Sequence, residues 1–346
     1  MEHKTLSMRQ FMLLLFVALL GPAVDLVPIL SVWVAGSGGW LLPLGSIVPV
    51  LVALWLGSHA CIGEKGVAQT IIYIMYMGWI LLLLALTAKM CAARLSETYG
   101  VGPSFGFSVL VIALAVWMGL GKVEALARAG EIFYLALAVL LAGVVLLAAF
   151  QAEPDNLAVT GKELRRVPIG SAAVGGLLLN VYPTFLLAGR IKLDGGSRRR
   201  ALGWTAAFCI AAALVTAAVI GCIGPRLTVG LSAPFTVMVQ GLGIKGAFQR
   251  MEALVSALWV LSDLIMAGLL LHSWRTLAGG LHRGKWGRVT VPGVAAVSLI
   301  CGWLLFPGAD RARAFCVTVL PWTGLFFGLL CPLILWFFCA RQKRKG

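Results

Sequence analysis

Ten apolar runs, each long enough to cross a bilayer, fill this 346-residue chain and leave little between them but short loops. About 20 apolar residues span the hydrocarbon as a helix, and a chain built this way can only fold as a helical bundle in a membrane. The runs are Met8 to Val34, Trp40 to Gly57, Gln69 to Ala93, Ser104 to Met118, Ala127 to Phe150, Pro168 to Ala188, Ala201 to Gly224, Met251 to Trp274, Val289 to Phe306 and Phe315 to Ala340. Composition agrees, with 60% hydrophobic and only 12% charged residues and a mean hydropathy of +0.97. The lipid bilayer is therefore the first partner the sequence predicts.

The first and sixth runs carry glycine and proline where the middle of the membrane would be. Gly21-Pro22-Ala23-Val24-Asp25-Leu26-Val27-Pro28 interrupts the first, and in the sixth Gly170, Gly175 and Gly176 lead into Asn180-Val181-Tyr182-Pro183. A proline inside a helix removes a backbone hydrogen bond and crowds the preceding turn, and in hydrocarbon the freed carbonyls are stable only where they line a cavity or meet a ligand. Splitting the chain near Pro168 puts five spans on each side and a broken one at the head of each half. The pattern predicts an all-α polytopic protein, a 5+5 inverted repeat with discontinuous first and sixth helices and a ligand site between the halves. The repeats are expected at 8–150 and 168–340 within a single membrane domain covering 1–346, with a basic tail at 341–346.

An even number of spans puts both termini on one side. Of the 28 basic residues, 18 fall on that side, including Arg198-Arg199-Arg200 and the run from Arg341 to Lys345, which predicts cytoplasmic termini. The net charge of +15 thus reflects topology, and nucleic acid is not an expected partner. Between the seventh and eighth spans, Leu227 to Arg250 is too interrupted for a further span and reads as a short helical cap over the outward mouth. The eight cysteines show no metal spacing, the four histidines form no set with carboxylates, and no nucleophile arrangement or phosphate loop is present. The expectation is a protein that is not an enzyme and needs no metal or cofactor.

A zwitterionic ligand needs donors for its carboxylate and acceptors for its ammonium, and interrupted helices offer both. Gly21, Pro22, Ala23, Val24 and Asp25, with Gly175, Gly176, Asn180 and Tyr182, are the expected binding segments. Tyr73, Tyr76 and Met77 of the third span and Trp259, Ser262 and Met266 of the eighth are candidate walls. Alternatively, the glycines serve close helix packing and the aromatic residues anchor the interface. Asp25 and Asp263 lie inside apolar spans, where a charge costs roughly 2.5–3.5 kcal/mol on insertion scales. They are expected to lie near each other and hold a proton or cation, or else to hydrogen-bond as packing glue. Glu124, Arg128 and Glu131, at i, i+4 and i+7, suggest an ion-pair ladder, while Arg250 and Glu252 must find separate partners.

Several segments, taken in order, resemble a known family. They are Gly121-Lys122-Val123-Glu124-Ala125-Leu126-Ala127-Arg128-Ala129-Gly130-Glu131-Ile132, Ala35-Gly36 followed by Trp40, Pro154-Asp155-Asn156-Leu157, Ala233-Pro234-Phe235-Thr236, Gln249-Arg250-Met251-Glu252-Ala253-Leu254 with Trp259, Leu305-Phe306-Pro307, and Cys331-Pro332-Leu333-Ile334-Leu335 before the basic tail. Together they resemble the B subunits of bacterial spore germinant receptors (GerAB-like), within the amino acid/polyamine/organocation transporter superfamily. The resemblance implies a LeuT-like fold in the spore inner membrane and recognition of an amino acid or related germinant. It also implies partner subunits of A and C type. Tyr182-Pro183-Thr184 stands where that family would suggest a carboxylate, and Pro22 where a small hydroxyl residue is common. A germinant sensor is the expected function, and a proton- or cation-coupled amino-acid transporter is the alternative.

Overall fold

The computed structural model describes residues 6–59, 67–99, 104–181, 191–192, 197–242, 251–281 and 286–343. Tyr182 and Arg250 lie outside the described residues, as does the side chain of Glu252.

Helix α1 (Met8–Ala35) begins at a capping box: Ser7 Oγ accepts from the Gln10 N–H at 3.2 Å and Gln10 Oε1 accepts from the Ser7 N–H at 3.3 Å. Its 28 residues reach about 42 Å at 1.5 Å per residue, more than the hydrocarbon thickness. It ends at Gly36, whose φ of 56° lies in the left-handed region that glycine adopts without cost. A 3₁₀ turn (Gly36–Leu41) and α2 (Leu42–Gly45) lead into α3 (Ile47–His59), which completes the second span. The first half continues with α4 (Val67–Tyr99), α5 (Ser104–Leu120) and α6 (Val123–Gln151).

The connection to the second half holds a 3₁₀ turn (Pro154–Leu157) and α7 (Gly161–Leu164). Then come α8 (Val167–Leu178), α9 (Ser197–Gly230), α10 (Pro234–Gly241), α11 (Met251–Leu281), α12 (Trp286–Leu305), α13 (Ala309–Thr318), α14 (Leu320–Leu325), a π-helical stretch (Phe326–Leu330) and α15 (Cys331–Lys343). Among the described residues seven helical stretches are long and apolar enough to cross a membrane, and one of them, Met8–Leu56, is 49 residues and covers two spans. With the shorter apolar helices Phe105–Leu120 and Val167–Val181 they account for the expected runs. The only described strands, β1 (Leu6–Ser7) and β2 (Ile191–Lys192), pair in parallel and tie the start of α1 to the segment before α9.

Helix α1 is the centre of the bundle. Of its 28 residues 21 are buried, against 7 of 29 in α6, and it packs on α9, α6, α11 and α8. On α6 the residues Ile132, Leu135, Val139, Leu146 and Phe150 are exposed at helical spacing, a face suited to hydrocarbon. The expected interruption of the first span is not an unwinding, because α1 stays helical through both Pro22 and Pro28. In the sixth span α8 ends at Leu178 and a 3₁₀ turn covers 179–181, while the rest of that run lies outside the described residues. A break sits in α9 at Gly224 (φ 78°, ψ 159°), followed by Pro225, where the seventh apolar run also ends. Beyond it, α10 supplies the short helix expected between the seventh and eighth spans.

Glycines set how closely the helices approach. A Cβ on Gly176 would run into the carbonyl of Pro321 and lie 2.8 Å from Leu325 Cγ, and one on Gly324 would meet the Gly176 carbonyl. One on Gly328 would lie 2.8 Å from Leu179 Cβ. Gly324 and Gly328, four apart, thus form a small-residue face that lets α14 lie against α8 backbone to backbone. Gly175 faces Pro49 of α3, with a Cβ contact of 2.6 Å.

At the face opposite the termini, Glu163 binds the end of α1 to the start of the second half. Its carboxylate accepts from the Ser37 N–H (3.0 Å) and Oγ (3.1 Å) and from the Thr160 N–H (2.8 Å) and Oγ1 (2.9 Å). The single Ser37 hydroxyl proton is shared between that carboxylate and the Ala158 carbonyl, which lies nearer at 2.6 Å. Partial burial pushes the Glu163 carboxyl upward, but the donors from Thr160 and then Ser37 outweigh it and hold the group below the usual glutamate range.

Glu163 is lowered in the folded state, so its contribution is present above the unfolded pKa and fades as pH falls through the folded one. Glu163→Gln is therefore expected to melt at a lower temperature than wild type at neutral pH, with the difference closing in acid; a gap that is constant with pH would remove the carboxylate from the clasp. Gly176→Val places methyl groups inside the α14 backbone, and overpacking of this kind costs at least 1–3 kcal/mol. The variant should show reduced membrane abundance by immunoblot, whereas Gly143→Val, at a position with nothing within 4 Å, should match wild type.

Candidate functional site

The site grows from the seam between α1 and α11. Ser262 of α11 inserts its hydroxyl into the hydrogen-bond ladder of α1: Oγ accepts from the Gly21 N–H at 3.0 Å and donates to the Val17 carbonyl. Insertion of this kind loosens a helix without unwinding it, one residue ahead of a proline that has no N–H to offer. Gly21 is required by the approach, because a Cβ there would sit 2.8 Å from Asp263 Oδ1 and 3.4 Å from Ser262 Oγ.

One turn further along α1 is Asp25, and both it and Asp263 are almost wholly buried, at 4% and 3% exposure. They share one cation. Arg94, on α4, donates from Nη1 to Asp25 Oδ2 and from Nη2 to Asp263 Oδ2. The planar guanidinium suits this role, since its donors diverge in a fixed fork where a lysine would present a single point charge. The two aspartates therefore lie together, as expected, but the charge between them is an arginine of the same chain. Two carboxylates and one guanidinium leave an odd negative charge, while Asp25 Oδ1 and Arg94 Nε are buried without a partner.

Beside the bridge lies a small cavity of about 50 Å³, bounded by Pro22, Thr87, Arg94, Asn180, Asp263 and Met266 among otherwise apolar neighbours. A water needs roughly 10–15 Å³ by this measure, so the space holds a few waters and is too tight for most amino acids as it stands. Asn180, in the turn after α8, donates from Nδ2 to the carbonyls of Gly176 (3.2 Å), Leu177 (3.0 Å) and Leu320 (3.3 Å). Its Oδ1 is buried and unpaired, a free acceptor at the cavity wall. The arrangement can bind a small polar molecule with donors and acceptors of both signs.

Two more cavities flank this one along α1. Toward the N-terminus, Met12, Phe16, Trp204 and Phe208 line an apolar space of about 50 Å³ that shares Leu19 with the central cavity. Toward Ala35, a wider space of about 350 Å³ is lined by Ile29, Trp33, Ser232, Asp310 and Arg313. Arg313 pairs there with Asp310 (3.2 Å) and Glu97 (3.8 Å), the latter one turn past Arg94 on α4. The Arg94 bridge thus stands between the central cavity and the wide one.

Of the expected binding residues, Pro22 and Asn180 border the central cavity, along with Asp263 and Met266. Ala23 and Val24 are buried in the core around α1, and Ser262 touches α1 rather than the cavity. Gly175 and Gly176 face helix backbones and side chains, so their missing Cβ atoms make room for neighbouring helices. Tyr76 is fully buried with its hydroxyl donating to the Phe327 carbonyl at 2.6 Å, and Trp259 packs on Phe235 of α10 with ring centroids 5.0 Å apart. Tyr73 and Met77 pack on the core from the same stretch of α4. The wall from α4 comes instead from Leu83, Leu86, Thr87 and Met90, two to four turns further on. Among the described residues no ion pair joins Glu124, Arg128 and Glu131; Arg128 is exposed, where water serves the charges well enough. Arg94 was legible in the sequence only as a charge just past the third apolar run.

No known family's sequence profile matches the chain, and no curated protein matches it in sequence. Its fold is nevertheless that of solved transporters. MhsT in complex with L-phenylalanine is similar with a TM-score of 0.67 and 14% identity, over 92% of this chain and 87% of that one. Mhp1, a nucleobase-cation-symport-1 family transporter, is similar in a closed conformation with bromovinylhydantoin bound (TM-score 0.62, 14% identity, 91% of this chain and 75% of that one). Its inward-facing conformation gives 0.56 at 14% identity, over 98% and 78%. The chain is a multi-pass, all-α membrane protein with the LeuT-like fold of these transporters.

Proposed function

We propose that the chain is the nutrient-sensing B-type subunit of a spore germinant receptor, residing in the spore inner membrane. It binds an amino acid or similar small molecule in the central cavity and passes the event to A-type and C-type partner subunits. The observation that carries this reading is the Arg94 bridge. The cation in the seam between α1 and α11 belongs to the chain itself, so binding needs no ion imported down a gradient. Widening a cavity of about 50 Å³ to admit a ligand would move α1 against α11 and strain a guanidinium shared by both. Occupancy then biases a two-state movement, which is what a sensor hands to its partners. The small-molecule complexes of proteins with this fold support a ligand site of this kind.

The odd negative charge of the bridge favours a second reading, a proton-coupled amino-acid transporter, because one proton would balance the three groups. Purified protein in liposomes separates the two: labelled amino acids should bind at equilibrium without accumulating inside. Accumulation driven by a pH gradient and lost in Asp25→Asn or Asp263→Asn would replace the sensor with the transporter.

The bridge also predicts an order of stabilities. Arg94→Ala leaves two buried carboxylates unpaired and should cost about 3–5 kcal/mol, enough to deplete the protein from the membrane. Asp25→Asn and Asp263→Asn each leave one balanced pair and should remain abundant while altering ligand affinity. If Arg94→Ala proves as abundant as either asparagine variant, the three groups do not form the bridge.

A further inference from the structure

Away from the central site, α4 carries a second buried cation. Lys89 is 7% exposed, and among the described residues no hydrogen bond or ion pair holds it. An ammonium in the hydrocarbon region is costly unless it is paired or reaches the interface, so an unpaired one marks a missing counter-ion. Its surroundings show where that counter-ion would come from. Lys89 lines a narrow cleft of about 10 Å³ between α4, α5 and α12, together with Ser108, Ser298, Phe105 and Trp303; that is room for roughly one water, so a headgroup would lie at its mouth. Ser108 and Ser298 are buried as well, at 7% and 0% exposure. Gly302 lets α12 approach α4 at the cleft, where a Cβ would lie 3.4 Å from the Ala85 carbonyl.

The mouth of the cleft is framed by Phe105 and Trp303, whose rings meet at 5.4 Å, and both are substantially exposed. Around them Val109, Ile300, Leu304 and Leu305 are also exposed, so the cleft opens sideways onto hydrocarbon. Phe105 begins α5 and Trp303 nears the end of α12, which sets the mouth near the membrane surface on the side where α4 ends. The Ser298 hydroxyl is already committed to the Ala295 carbonyl at 2.7 Å, so a lysine stem long enough to snorkel and aromatic residues of the kind found at the interface make the receptor for a phosphate that arrives laterally.

We infer that Lys89 binds, at the mouth of the cleft, the phosphate of an anionic phospholipid whose acyl chains lie over α5 and α12. Zwitterionic lipid carries the same phosphate but also a cation that opposes Lys89, so the site selects for net negative headgroups. The contact holds α4 and α12 together from outside the bundle, beside the helix that carries Arg94.

Native mass spectrometry of the full chain released from detergent tests this, with phosphatidylglycerol, phosphatidylcholine or inorganic phosphate added separately. Phosphatidylglycerol should be retained at least ten-fold more than phosphatidylcholine by wild type and by Lys89→Arg. Lys89→Gln should lose that preference, while Lys162→Gln, exposed on the short helix α7, should keep it. Equal retention of the two lipids by wild type, or an unchanged preference in Lys89→Gln, would overturn the inference. A free-phosphate adduct that competes phosphatidylglycerol off would assign the site to a soluble anion and overturn the lipid. If Lys89→Gln does not accumulate, the wild-type preference and its retention in Lys89→Arg still decide the matter.

Discussion

Two almost wholly buried carboxylates meet one guanidinium inside the bundle, and that meeting ties three helices together. Asp25 belongs to α1, Asp263 to α11 and Arg94 to α4, so one bidentate cation fixes three helices in depth and in rotation at once. In water such a bridge would contribute little, since solvent screens exposed pairs. Inside a membrane the alternative is an unpaired charge, and losing one partner costs far more than the net worth of the pair. The bridge therefore acts less as glue than as a constraint on which arrangements of α1 and α11 are accessible.

Hydrocarbon gives helices no hydrophobic reason to associate, and this chain compensates with small residues at the crossings. Gly21 admits Ser262 and Asp263, Gly176 admits α14, and Gly175 admits Pro49. The inserted Ser262 hydroxyl shows the same economy in the backbone. Pro22 would ordinarily force a break, yet the neighbouring helix supplies a hydroxyl at the weakened turn and α1 continues as a helix. A helix kept intact but loosened at its middle is able to pivot there.

The three cavities strung along α1 give that pivot a functional setting. The central one is closed toward the N-terminal side by Leu19 and toward the other by the Arg94 bridge, beyond which the wide space begins. From the wide side inward come Arg313, held by Glu97 and Asp310, and then the bridge itself. Polar groups thus line the route from one side only, whereas the space on the N-terminal side is almost entirely apolar. On the wide side, the Glu163 clasp keeps the end of α1 attached to the second half.

The helical class, the ten runs and the importance of the Gly21 to Asp25 region were all legible in the sequence, because hydropathy and proline chemistry act locally along the chain. The nearness of Asp25 and Asp263 could also be anticipated, since isolated carboxylates in apolar spans must find company. What lies between them could not. Arg94 is 69 residues from Asp25 and 169 from Asp263, and it sits at the end of an apolar run where basic residues ordinarily serve topology. The wall residues of α4 were misplaced by several turns for the same reason: side-chain meetings depend on the tilt and rotation of each helix, which no periodicity records. The sequence by itself determined that this chain crosses a membrane many times and carries buried charge at its centre; only the tertiary structure decided that the chain supplies its own cation there and that Gly175 and Gly176 belong to helix packing, because both depend on partners brought together solely by the folded bundle.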